Sequence, residues 1–168
     1  IAPRVTIGAP SFTPATTTTP SAAAWVAMAY GNSKFVLIST GATTTATSAD
    51  GVIWANGGSL PASTTWTDVA AGAVSGTTYH VAVASGGTAA AYSTNGGVSW
   101  TTAALASSET WTAVAYGNSR FVAVSSGGTA TNISTNGTTW IAGGALPSTT
   151  TWVAVTYGNG KFVAVAGG

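Results

Sequence analysis

The chain has 168 residues, enough for one compact domain with a sizeable core. Seven of them carry a formal charge, for a net charge of +1, which gives no electrostatic reason to expect nucleic acid or an acidic membrane surface. A hydrophobic share of 45% excludes disorder, no stretch approaches the roughly 20 apolar residues of a spanning helix, and without cysteine there is neither a disulfide scaffold nor a Cys-ligated metal site.

In chain order, the first segment begins at Ile1 and not at Met, which reads as a processed product or a fragment of something longer. Arg4-Val-Thr-Ile reads as a strand, Gly8-Ala-Pro as a degraded turn and Ser11-Phe-Thr as a second strand. Thr13 to Pro20 is a low-complexity Thr/Pro stretch that reads as an extended connector. From Trp25 onward the chain repeats. Trp25, Trp66, Trp111 and Trp152 are spaced 41, 45 and 41 residues apart, and Trp54, Trp100 and Trp140 form a second series spaced 46 and 40. The first unit reads WVAMAYGNSKFVLIST, the second WTDVAAGAVSGTTYHVAVASGG with three extra residues before Tyr79, the third WTAVAYGNSRFVAVSSGG, and the fourth, WVAVTYGNGKFVAVAGG, stops halfway.

Each full unit predicts four short strands. Strand one holds the first Trp and ends at a Tyr-Gly-Asn turn, whose Gly and Asn tolerate positive φ. Strand two is the Phe-Val-Ala-Val run, apolar on both of its alternating faces. Strand three leads into Ser-x-Asp/Asn-Gly, a hairpin signal, and strand four carries the second Trp. Four strands in about 42 residues match a propeller blade. Sheets stacked face to face bury both faces, which accounts for the scarcity of charge.

The predicted fold is therefore all-β: one four-bladed β-propeller domain, with blades at about 25–65, 66–110, 111–151, and 152–168 plus 1–24. The N-terminal segment is expected to complete the last blade. Pro20 and Pro147 each lie five residues before a Trp, and Phe12 lies 42 residues before Trp54, where the second-series aromatic belongs. Closure from both ends removes free sheet edges. The same geometry allows the segment to complete a neighbour's blade instead, in a head-to-tail assembly.

The Ser-x-Asp-Gly-x-x-Trp segments resemble the Asp-box repeat of sialidases and many other β-propellers. The match is full at Ser48, Asp50, Gly51 and Trp54. At Ser134, Asn136, Gly137 and Trp140 it is partial, and at Ser93, Asn95, Gly96 and Trp100 there is Asn plus one extra residue. The surrounding W-x-A-V-A-Y-G-N-x-K-F-V-A-V text is similar to repeats of phage tail-fibre and bacterial surface proteins. The resemblance implies a structural motif, with the Asp or Asn side chain tying off the turn and the Trp packed beneath it. It marks a fold and not an activity.

The residues argue against catalysis. A sialidase-like site needs three arginines, and only Arg4 and Arg120 exist. Other glycosidases need paired carboxylates. Asp50 is committed to a turn, while Asp68 and Glu109, near strand-one ends of adjacent units, read as solvated rim groups. His80 is read at the place of Val122, packed or hydrogen-bonded and without metal partners. No metal or cofactor is expected. Lys34, Arg120 and Lys161 occupy one position in the strand one–two turn, with Thr78 at the fourth place, and form a candidate basic binding ring. The expected role is non-catalytic recognition or adhesion outside the cell or on a virion. Its partner is a cell-surface glycan or protein, or copies of the chain itself.

Overall fold

The computed structural model describes residues 19–167. The strands and turn proposed for Arg4 to Thr13, with Phe12, lie outside them. The described residues are all-β. Unit one is a four-stranded antiparallel sheet of β1 (Trp25–Gly31), β2 (Lys34–Ser39), β3 (Thr45–Ser48) and β4 (Ala55–Asn56), paired in sequence order. Units two and three share one six-stranded sheet of β5 (Trp66–Val74), β6 (Thr77–Ser93), β7 (Thr101–Gly117), β8 (Arg120–Ser126), β9 (Thr131–Ser134) and β10 (Ile141–Ala142). Unit four contributes the hairpin β11 (Trp152–Gly158) and β12 (Lys161–Ala166).

The fusion of units two and three departs from the expected separate sheets, and proline explains it. The connectors of units one and three contain Pro61 and Pro147, which lack the N–H a ladder needs. Unit two has Ala106 at that place, and its N–H donates to Asn132 Oδ1 at 2.5 Å. The strand therefore runs on, and Ser85 and Gly87 pair with Thr110 and Glu109. At the other junctions the corresponding link is one backbone bond, Gly41 N–H to Thr64 O or Gly127 N–H to Thr150 O, each 2.9 Å. A further correction concerns the second tryptophans. Trp54, Trp100 and Trp140 lie just before strand four, not within it.

Strand one of every unit carries a bulge directly after its Trp, seen as a register shift between Trp25 and Ala27, Trp66 and Asp68, Trp111 and Ala113, and Trp152 and Ala154. The indole N–H groups of Trp66, Trp111 and Trp152 donate to the carbonyl four residues earlier, Ala62, Ser107 and Ser148. The hairpins that follow turn on Asn32-Ser33, Asn118-Ser119 and Asn159-Gly160, all with positive φ. The Gly of Tyr-Gly-Asn is not a turn residue, as the sequence suggested, but the last residue of the strand.

That glycine makes room for the next unit. A Cβ on Gly72 would fall inside the ring of Tyr116, and one on Gly117 inside the ring of Tyr157. On Gly31 it would meet Ala71, the residue unit two has instead of Tyr, at 2.8 Å. Each Tyr stands against a Phe of its own hairpin, Tyr116–Phe121 and Tyr157–Phe162 at 4.9 Å between ring centres. The core lies between successive units. One cluster joins Val81 and Val83 of unit two to Trp111, Phe121, Ala123 and Trp140 of unit three. A second joins Ala29 and Ile38 of unit one to Trp66, Val69 and Ala82 of unit two. Strand ones of successive units lie side by side, β1 with β5, β5 with β7, and β7 with β11.

Candidate functional site

The Ser-x-Asp/Asn-Gly turns share one hydrogen-bond plan. Ser48 Oγ bonds Asp50 Oδ1 at 3.0 Å and accepts the Gly51 N–H at 2.9 Å, while Asp50 Oδ1 accepts the N–H groups of Val52 and Ile53 at 2.8 and 2.9 Å. Asn136 Oδ1 takes the N–H groups of Thr138 and Thr139 in the same way, with Ser134 Oγ 3.1 Å away. Ser93 and Asn95 repeat the pattern with the extra residue absorbed, since the N–H groups bound are those of Gly97 and Ser99. Gly51, Gly96 and Gly137 adopt φ of 76°, 70° and 72°. The N–H donors of Ile53 and Val52, then Ser48, hold the Asp50 carboxyl below its ordinary value. Trp140 is buried beneath its turn, and Trp54 and Trp100 are half-buried. These twelve residues thus build the turns and the packing beneath them.

Lys34, Arg120 and Lys161 open strand two in units one, three and four, opposite Gly31, Gly117 and Gly158. In unit two the residue opposite Gly72 is Tyr79, not Thr78, because the longer hairpin adds two rungs, Ala73–Thr78 and Val74–Thr77. Lys34 and Tyr79 lean on the turn of the following unit. The Lys34 stem reaches Gly96, where a Cβ would lie 3.0 Å from Lys34 Cδ, and the Tyr79 ring covers Gly137. Lys161 is exposed.

The same register moves His80. It pairs with Ala71 as Phe121 pairs with Tyr116, so it stands at the phenylalanine place and not at that of Val122. The imidazole is 0% exposed, and neither ring nitrogen has a hydrogen-bond partner. Burial pushes its pKa down to about 4.

Asp68 is not a solvated rim group. Its carboxylate accepts the N–H of Val69 at 2.8 Å and that of Val114 in unit three at 2.9 Å, so it bridges two units. Burial raises its pKa, opposed by those two donors. No motif announces this role, since units one, three and four have Ala27, Ala113 and Ala154 at that place. Glu109 lines an open cleft of about 240 Å³ with Ser107, Thr129, Asn132 and Gly143, and is the one ionisable residue there. A larger groove of about 350 Å³ runs between units three and four, lined by Val122, Val124, Ile133, Leu146 and Phe162, with Arg120 at its margin. Among the described residues no strand pairs with the outer edge of β12.

No family model and no curated protein matches the chain. Solved structures do. A streptogramin B lyase aligns with TM-score 0.63 and 12% identity over 80% of this chain and 45% of its own. The computationally designed protein Ika4 aligns with TM-score 0.63 and 15% identity over 89% and 90%. YCF48 bound to D1 peptide aligns with TM-score 0.56 and 14% identity over 80% and 43%. The chain thus spans under half the length of the lyase and of YCF48. These are β-propeller proteins, one named as a lyase and one solved with a bound peptide, and at such identities the likeness establishes the fold alone. The chain is a β-propeller fold.

Proposed function

We propose that this chain is a non-catalytic β-propeller module for recognition or adhesion, working outside the cell or on a virion. It consists of four blades, the fourth completed by the N-terminal segment, and its partner is a cell-surface glycan or protein. The observation that carries this reading is the commitment of the ionisable groups. Asp50 closes a turn, Asp68 bridges two units and His80 is sealed in a core. Glu109 stands alone in its cleft, without the second carboxylate that glycoside hydrolysis needs. The apolar groove beside β12, with an edge of that strand that has no partner among the described residues, supports completion of the fourth blade by an added strand.

Lys34, Arg120 and Lys161 are the candidate contacts to an anionic glycan or acidic partner. Replacing all three by Ala is expected to abolish saturable binding on a glycan array at low salt, while a panel of sialosides and other glycosides is left unhydrolysed. Turnover abolished by Glu109→Gln would overturn the non-catalytic reading. A second role, as a subunit of an extracellular or virion assembly, is favoured by the apolar faces left exposed at both ends of the array.

A further inference from the structure

Successive units dock by a repeated rule. In units three and four the face turned to the preceding unit carries the Tyr of strand one and the Phe and Ala of strand two. The face turned to the following one carries the strand-end Gly, the residue opposite it, and two valines. Thus Tyr157 of unit four keys onto Gly117 of unit three, while Val122 and Val124 of unit three line the groove against Phe162 and Ala164 of unit four.

At the two ends the halves of this joint are unmatched. Unit one presents Met28 at 54% exposure, where the equivalent Val69 and Val114 are buried, and Tyr30 at 58%, where the equivalent Tyr116 is half-buried. Unit four presents Val163 and Val165, each 52% exposed, and Gly158 has no atom within 4 Å of where a Cβ would stand. Among the described residues Tyr30 is therefore a key without a socket and Gly158 a socket without a key. The turns add charge to the fit. Lys34 and Tyr79 each cover the glycine of the next unit's Ser-x-Asn-Gly turn. The same step taken from unit four carries Lys161 to Gly51, beside Asp50. The first unit's turn is the one with a carboxylate, since the others hold Asn95 and Asn136.

We propose that unit four of one copy docks on unit one of a second copy, head to tail, with Tyr30 seated on Gly158 and Lys161 facing Asp50. Among the described residues of one chain nothing covers either face. A second copy continues the array with the joint already used between units. The proposal rests on the four-unit reading and is independent of the recognition role.

The absence of cysteine makes the test clean. A residue at Gly117 would place its Cβ 2.5 Å from that of Tyr157, within a small shift of the roughly 3.8 Å a disulfide adopts. Tagged Gly158→Cys mixed with untagged Tyr30→Cys under mild oxidation is expected to give a mixed crosslinked dimer in excess of either self-pair. The parent should sediment at twice the chain mass or more, and Lys161→Glu should weaken association about tenfold or more through like charge. The charge swap D50K/K161E should restore it. A parent that sediments as a monomer, or a Tyr30→Cys/Gly158→Cys double variant that closes only within its own chain, would overturn the proposal. A monomer that still binds glycan would leave the recognition reading standing.

Discussion

Trp111→Ala and Trp140→Ala should each lower the unfolding free energy by about 3–5 kcal/mol, as large-to-small core changes do. Trp111 is 0% exposed, packs among Val83, Leu105 and Phe121 at the joint between units two and three, and donates its indole N–H to Gly87 O at 3.1 Å. Its removal opens a cavity and strands a carbonyl. Trp140 is 5% exposed and its indole nitrogen has no partner, so its cost is packing alone and should fall at the lower end. Denaturant unfolding with an unchanged m-value measures both. Either variant within about 1 kcal/mol of the parent would mean that the tryptophan stands outside the core.

Acidification should expose the second large effect. His80 sits neutral in an apolar joint with a pKa of about 4, against an ordinary value near 6.5 in the unfolded chain. Above pH 6.5 both states are neutral and the protein keeps its full stability. As the pH falls from 6.5 to 4 the unfolded chain takes up the proton first, and stability drops by an amount on the order of 2–3 kcal/mol. Asp68 works the other way. Its carboxyl is raised in the folded state, so its contribution grows as the pH falls toward the ordinary carboxylate value. The difference between parent and His80→Phe isolates the histidine. Phe35, Phe121 and Phe162 hold that place in the other units, and Ala71 leaves space beside it. The variant should lose the acid slope between pH 6.5 and 4, and an unchanged slope would show that His80 is hydrated or paired.

Much of the fold was legible because the repeat is carried by large residues at fixed spacing. The first Trp of each unit, the Phe-Val-Ala-Val run and the Ser-x-Asp/Asn-Gly turn all stand where the period put them. What was not legible depends on neighbours across a joint. The Gly of Tyr-Gly-Asn reads as a turn residue from its own strand, and its purpose appears only when the next unit's Tyr lies over it. Asp68 looks like a rim acid until Val114 of unit three supplies its donor. His80 was misplaced by one position because an insertion counted against Tyr79 ignores that hairpins lengthen by whole rungs. The fusion of units two and three did have a signal, in the proline missing at Ala106. The candidate basic ring was legible only as a position, since which partner it meets is set by surfaces beyond the repeat.

Units three and four each stack on the preceding unit by an aromatic ring seated on a glycine. A double-mutant cycle at Gly72 and Tyr116 tests it most directly. Gly72→Ala alone should cost about 1–3 kcal/mol, because the added methyl overlaps the Tyr116 ring. In the Tyr116→Ala background the same change should cost close to nothing, giving a coupling of about 1–3 kcal/mol. Costs that add to within about 0.5 kcal/mol would mean that ring and glycine do not meet, and would contradict the stacked arrangement.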